Sequence, residues 1–180
     1  MYQSNVITKS EEKELINVIF KHEWNSQLSR RTQHYGYIYP YKKNANTNGS
    51  KRLIQTTPIP EEFKFLQERL SKFVDNVPFD QIIINEYTPG VGISPHIDDP
   101  NLFGNTVISI SLNSPIIMDL TYNNQHIPIH LERRSALILQ NDYRYSWKHG
   151  IKPRKSDIIP GFNKVLRGTR YSITLRSISS

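Results

Sequence analysis

The stretch SPHIDDP, residues 94–100, places a histidine and two aspartates within four positions, between prolines. Ionisable groups set so close repel or compete unless something binds them, and a metal ion is the first candidate. Side chains at i and i+2 of an extended strand project to the same face. His96 and Asp98 can therefore converge on one ion, while Ile97 and Asp99 face elsewhere. One imidazole and one carboxylate leave such a site incomplete, so a third ligand must come from a distant strand. The downstream candidates are His126, His130 and His149. His126 and His130 lie in a run with the texture of a turn and an edge strand. His149 sits in YSWKHGIKPR, at a strand end and before a glycine.

Two histidines and one carboxylate on one face make the facial triad of non-haem Fe(II) oxygenases, which leaves open positions for substrate and oxygen. Similar ligands also hold Zn(II) for hydrolysis, and an H-x-D in a loop can be no more than a hydrogen-bonded pair. The C-terminal run RGTRYSITLRS favours the oxygenase reading. Arg170 and Arg176 are six apart, so on a strand both face the same side. Two arginines on a core face are costly unless an anion neutralises them, and a small dicarboxylate suits guanidinium forks. Asn85 and Tyr87, again two apart, supply polar partners from another strand. An outward basic stripe would explain the arginines alone, but not their combination with the triad.

These groups need strands to hold them. From Gln81 onward the chain alternates short runs rich in Ile, Val, Thr and Tyr (QIIINEY, TVISISL, PIIMDLTY, HIPIHL, SALILQ, TRYSITLR) with Gly, Pro and Asn turns. Strands of this length predict a mostly β, α+β fold: a sandwich or double-sheet jelly roll. Two helices are predicted ahead of it and are expected to pack on one sheet. The first covers residues 10–22, capped by Ser10 or Thr8, with a stripe of Leu15, Ile16, Ile19 and Phe20. The second covers 61–74, with Phe63, Leu66, Leu70 and Phe73 inward.

The 180 residues suit one domain, 1–180. Within it, 24–60 reads as a basic, tyrosine-rich arm or lid. Tyr35, Tyr37, Tyr39 and Tyr41 alternate there and would share one face of an extended strand, a platform on which bases stack. The polar run 42–52 reads as a mobile loop. Trp24 to Pro60 holds six Lys or Arg and no acid, and Asp142 to Arg176 holds nine against two aspartates. These tracts carry +13 in a chain of net charge +7, a polarity that suits a polyanion such as nucleic acid. The absence of cysteine removes disulfides and thiolate chemistry. No run approaches the roughly 18 apolar residues of a membrane span, and the N-terminus lacks a secretion signal. The expectation is an intracellular protein, cytoplasmic or nuclear, acting as a monomer away from membranes.

Taken together, INEYTPGVGISPHIDDP, SISL, SWKHGI and RYSITLR resemble the AlkB family of Fe(II)- and 2-oxoglutarate-dependent dioxygenases, whose pattern is N-x-Y, H-x-D, a distant H and R-x5-R. The likeness covers about residues 30 to 176. It implies a double-stranded β-helix, a jelly-roll variant, with iron held by His96, Asp98 and His149. It further implies that Arg170 grips the distal carboxylate of 2-oxoglutarate with help from Asn85 and Tyr87, and that Arg176 lies near the carboxylate that chelates iron. Fe(II), 2-oxoglutarate and molecular oxygen are the implied cofactors.

Within the family, RRTQHYGYIYPY, HIDDPNLFGNTVISISL and ERRSALILQNDYRYSWKHGIKPRKSD are similar to the oxygenase domain of tRNA wobble-uridine hydroxylases. The implied reaction is oxidation of an alkyl group on a nucleic-acid base, foremost hydroxylation of a modified tRNA uridine. The implied partners are tRNA or single-stranded DNA or RNA, with a separate methyltransferase or RNA-binding protein alongside. Oxidative demethylation of N-alkylated bases is the alternative; Pro100, where several repair members carry an acid, counts against it. Hydroxylation of a protein or small molecule is the second alternative. Arg31, Tyr35 and Tyr37 are the candidates for a lid that stacks on an unpaired or flipped nucleotide.

Overall fold

A computed structural model describes residues 1–39, 53–73, 78–159 and 164–179. A short strand, β1 (Tyr2–Gln3), precedes helix α1 (Lys9–Lys21). Of the two candidate caps, Thr8 is used. Its hydroxyl accepts from the Glu11 N–H at 3.2 Å, and the Glu11 carboxylate accepts from the Thr8 N–H at 2.7 Å, closing a capping box that satisfies two otherwise orphaned donors. Leu15, Val18 and Ile19 form the buried face. Phe20 stands one residue past that face and is 57% exposed, not part of the stripe; its ring meets Tyr171 edge-on. The same helix buries Glu12. Burial opposes ionisation of this carboxyl, yet the Arg133 guanidinium, the Asn113 N–H and Arg134 outweigh it and hold its pKa below the usual value. Arg133 and Arg134, in the turn 133–134, thus anchor the helix.

The chain continues through β2 (Thr32–Tyr35), β3 (Tyr37–Ile38) and β4 (Ile54–Gln55) to helix α2 (Phe65–Leu70). The second helix is shorter than its pattern promises: 3-10 turns at Glu61–Phe63 and Ser71–Phe73 flank it. Then come β5 (Gln81–Tyr87), β6 (Ile93–His96), β7 (Phe103–Leu112), β8 (Ile116–Tyr122), β9 (Gln125–Leu131) and β10 (Ala136–Leu139). A one-turn helix, α3 (Asp142–Tyr145), leads to β11 (Lys148–Ile151), β12 (Ser156–Ile158), β13 (Lys164–Leu166) and β14 (Arg170–Ile178).

A six-stranded antiparallel sheet has the order β1-β10-β7-β14-β5-β2, and a four-stranded sheet has the order β6-β11-β8-β9. The two sheets face each other across a core that includes Val107, Leu137, Leu139, Met118, Leu120 and Trp147. The helices cover the other face of the large sheet over Ile82, Ile84, Ile110, Ile173 and Leu175. This is the expected jelly roll with helices on one sheet. Strand parity sorts the chemistry: in β14, Tyr171, Ile173 and Leu175 point to the helices, while Arg170, Ser172, Thr174 and Arg176 point between the sheets. Among the described residues, no helix is long and apolar enough to cross a membrane.

The tract 24–60 is only partly separate from this body, because Thr32–Tyr35 is the edge strand of the large sheet, in register with β5. At Gly36 φ is +76°, and a Cβ there would collide with the Asp80 carbonyl. The strand breaks at this point, so Tyr35 and Tyr37 do not continue one alternating face. Tyr41, the basic residues Lys42, Lys43, Lys51 and Arg52, and the loop 42–52 lie outside the described residues.

Candidate active site

His96 ends β6 and His149 lies in β11, directly opposite it in the antiparallel register. Their rings stand 4.3 Å apart, centroid to centroid. Asp98 follows two residues after β6, and one ligand atom from each of the three residues lies within 4.8 Å of the others. His96 Nδ1 donates to the Ser94 carbonyl at 2.8 Å. A carbonyl only accepts, so the proton belongs on Nδ1 and Nε2 keeps its lone pair.

Asp98 is buried. Its Oδ1 accepts from Arg176 Nη2 at 2.5 Å, while its Oδ2 has no hydrogen-bond partner among the described residues and stands 3.8 Å from His149 Nε2. Burial alone would raise this carboxyl, but the charge of Arg176, then the two histidines and Arg144, keep it below its ordinary value. Burial pushes the His149 imidazole down to about 4, against the pull of Asp98, so the ring is neutral at neutral pH. Arg144, 2% exposed, donates to the carbonyls of Asp98, Phe103 and Gly104 and fixes the loop behind the ligand. Asp99 takes a different role: its Oδ1 accepts from the Asn101 N–H at 3.0 Å and shapes the turn. His126 and His130 stay outside. They have the opposite parity to Ile129 and Leu131, which pack between the sheets.

The triad lies on the wall of a cavity of about 530 Å³ whose other walls come from β5, β7 and β14. Arg170 is 1% exposed. Its Nε and Nη2 donate to Ser111 Oγ at 3.0 and 2.8 Å, and its guanidinium lies over the Tyr87 ring at 5.4 Å. Its Nη1 is buried with no hydrogen-bond partner among the described residues, and burial lowers its pKa to about 10. Arg176 Nη1 donates to Gln81 Oε1 at 3.0 Å, its guanidinium sits 4.7 Å from the centre of the Phe103 ring, and its Nε is a second buried donor without a partner among the described residues. Asn85 accepts from Arg30 Nε at 3.0 Å and approaches Ser172 Oγ at 3.4 Å.

Unanswered buried polar groups are costly. Here the unanswered acceptor lies 3.8 Å from the His149 imidazole, and the unanswered donors lie on guanidinium groups facing the same cavity. A divalent metal ion answers the first and a carboxylate-bearing ligand the second, so the residues present fit both.

The sequence-predicted substrate residues are placed differently. Tyr35 is 3% exposed and packs against Phe63, with its hydroxyl on Gln33; it is core and does not stand over the cavity. Arg31 is held by Glu86 through two bonds of 2.6 and 2.8 Å and lies over Trp24. Tyr37 is half-buried in the β3–β4 hairpin and does not line the cavity. Its neighbours do: Arg30, Ser29 and Tyr39. Spacing signals neither Arg30, which stands beside another arginine, nor the break at Gly36.

The chain belongs to the 2OG-Fe(II) oxygenase superfamily, whose family model matches residues 2–176, and within it to the AlkB type. It is 40% identical over 186 residues to Uncharacterized protein L905 of Acanthamoeba polyphaga mimivirus, covering 96% of this chain and 81% of that one. It is 38% identical over 149 residues to the tRNA (carboxymethyluridine(34)-5-O)-methyltransferase alkbh8 of Xenopus tropicalis, covering 76% of this chain but only 23% of that protein. It is 30% identical to a DNA N6-methyl adenine demethylase of Caenorhabditis elegans, covering 96% of this chain and 57% of that one. The solved structure of OsALKBH1 shares the fold, with a TM-score of 0.68 at 18% identity over 98% of this chain and 97% of that one. The family uses Fe(II), 2-oxoglutarate and molecular oxygen.

Proposed function

We propose that this chain oxidises an alkyl group on a nucleic-acid base, and that the base is a modified uridine of tRNA. The observation that carries the choice of substrate is the likeness of 76% of the chain to a relative whose name specifies carboxymethyluridine at position 34 of tRNA. The chain spans about a quarter of that relative, and a separate methyltransferase or RNA-binding protein is the partner proposed alongside it.

His96, Asp98 and His149 would hold Fe(II), and Arg170 would receive the distal carboxylate of 2-oxoglutarate on its open Nη1. When bound, the metal and 2-oxoglutarate supply oxygen-driven oxidation of an alkyl C–H bond, with succinate and carbon dioxide as the other products. The rest falls to the chain. Arg176 neutralises Asp98 on one oxygen and leaves the other free for the metal. Arg30 adds positive charge beside Asn85, and Tyr39 offers a ring for a base at the cavity wall. Val107, Met118, Leu137 and Leu139 keep the interior poor in water.

The test is nucleoside mass spectrometry after incubation with Fe(II), 2-oxoglutarate and oxygen. The substrates are tRNA bearing carboxymethyl-type wobble uridines and single strands carrying N-methylated bases, with a His96→Ala control. A gain of one oxygen on the uridine supports the proposal. Loss of methyl from the damaged bases replaces it with demethylation, the reading favoured by likeness to the adenine demethylase. No change in either pool with continued succinate formation points to a protein or small-molecule substrate.

A further inference from the structure

A second cavity, also about 530 Å³, opens on the outer side of the four-stranded sheet. Its walls are largely apolar, with Val91, Ile93, Pro95 and Pro153 among them. Set into them is Asp119 of β8, only 4% exposed. Strand parity turns this side chain away from Met118 and Leu120, which pack between the sheets. Its Oδ1 is engaged by His126 Nε2 at 2.5 Å. Its Oδ2 is buried and has no hydrogen-bond partner among the described residues. Lys152 Nζ stands 3.6 Å from Oδ2, too far for a hydrogen bond but close enough to place a positive charge beside it.

A buried carboxylate oxygen held in place by a neighbour and left open to a cavity is a receptor for a hydrogen-bond donor. Lys152 decides what kind. An incoming cation would meet a like charge, so a neutral donor on an apolar body is favoured over an ammonium or guanidinium group. A nucleobase carrying an exocyclic amine has that chemistry, since carboxylates accept from such amines. Location supplies the rest: Ser29, Gly92, Ile93 and Ser94 line both this cavity and the one that holds the triad. One strand of backbone therefore separates the two, and a nucleotide adjacent to the one being oxidised can reach across it.

We propose that the outer cavity seats a neighbouring nucleobase of the substrate strand, with Asp119 accepting from its exocyclic amine and His126 positioning the carboxylate. This rests on the nucleic-acid reading above and adds a specificity determinant to it. Lys152, with a side chain 57% exposed on the rim, is suited to the accompanying phosphate.

The test is binding, read by fluorescence anisotropy, of a short labelled single-stranded RNA containing adenine. The comparison strand carries purine in place of every adenine and so lacks only the amine. The wild-type protein is expected to bind the adenine strand about tenfold more tightly. The Asp119→Leu variant is expected to bind both strands equally, at the weaker level. Equal binding of the two strands by the wild type overturns the inference and leaves the proposed function standing, and it needs no variant to fold. Discrimination that survives Asp119→Leu also overturns it. Equal binding together with Asp119-dependent capture of a lysine-rich peptide reassigns the cavity to a protein partner. Failure to bind either strand at low salt removes the nucleic-acid reading itself.

Discussion

Two buried arginine clusters in this molecule have opposite character. Around Asp157, all charges are answered: its Oδ1 accepts from Arg154 Nε and Arg167 Nη2, both at 2.8 Å, and its Oδ2 from Arg167 Nε at 2.7 Å and the Ile117 N–H at 3.2 Å. Arg167 Nη1 is taken up by the Lys152 carbonyl at 2.8 Å. Four donors on two oxygens tie the turn before β14 and strand β12 to the edge of β8. In the triad cavity, Arg170 Nη1, Arg176 Nε and Asp98 Oδ2 all lack a hydrogen-bond partner among the described residues. Asp157 and Arg167 are as buried as Asp98, Arg170 and Arg176, so burial does not separate structure from function here. What separates them is whether the hydrogen-bond inventory closes within the chain.

The sharpest break in this comparison comes from the open cluster. His149→Ala is expected to reduce succinate formation to background. Arg170→Met is expected to weaken 2-oxoglutarate binding by about 2–5 kcal/mol, measured by calorimetry with Mn(II) under anaerobic conditions, while thermal stability stays at or above that of the wild type because an unneutralised buried charge is gone. The closed cluster should behave in the reverse way. Arg167→Leu removes two of the four donors to the buried Asp157, leaving it Arg154 and the Ile117 N–H, and is expected to cost about 1–3 kcal/mol in urea denaturation.

Acid sharpens the contrast next. Burial holds His34 and His149 neutral, with pKa values pushed down to about 4, whereas an unfolded imidazole titrates near 6.5. Between those values the unfolded chain binds more protons. The metal-free protein should therefore gain stability as pH rises from about 4 to about 6.5, by up to about 1.4 kcal/mol per pH unit for each histidine. The depressed Asp98 carboxyl acts in the same sense further down, where its contribution is lost as pH falls through its folded value. Denaturation curves at about pH 5 and about pH 7 measure the difference. The smallest effect belongs to a third closed cluster. Arg133→Ala removes a side chain 51% exposed and leaves Glu12 with Arg134 and the Asn113 N–H; no more than about 1 kcal/mol is expected from denaturation.

The groups facing the triad cavity were legible in the sequence because their spacings are even numbers on strands. Asn85 and Tyr87, and Arg170 and Arg176, fall on one side whichever register the strands adopt, and Asp98, just past the end of β6, keeps the extended spacing from His96. The third ligand needed the family likeness to single it out, since spacing within one strand says nothing about which distant strand lies opposite. Pairing of β6 with β11 made that choice. The tyrosine platform failed for a local reason: one left-handed glycine changes the face of everything after it, and Tyr35 was drawn into the core. His34 is half-buried because Thr32–Tyr35, part of the predicted arm, forms the edge of the large sheet. Arg30 and Asp119 were missed because an arginine beside an arginine and an aspartate in an apolar strand carry no spacing signal. Only the cavities around them give them meaning.

Strand β14 carries both cavity arginines while pairing along its length with β5 on one side and β7 on the other. Its amides have no route to solvent short of opening the sheet, and they should rank among the slowest in the molecule to exchange with deuterium. The two arginines that β14 turns into the triad cavity therefore sit in one of the best-protected parts of the sheet. The groups nearest the mouth, on the chain before β2 and beside β6, hang from margins of the sheets. Inheritance can therefore revise what the protein acts on far more cheaply than how it acts.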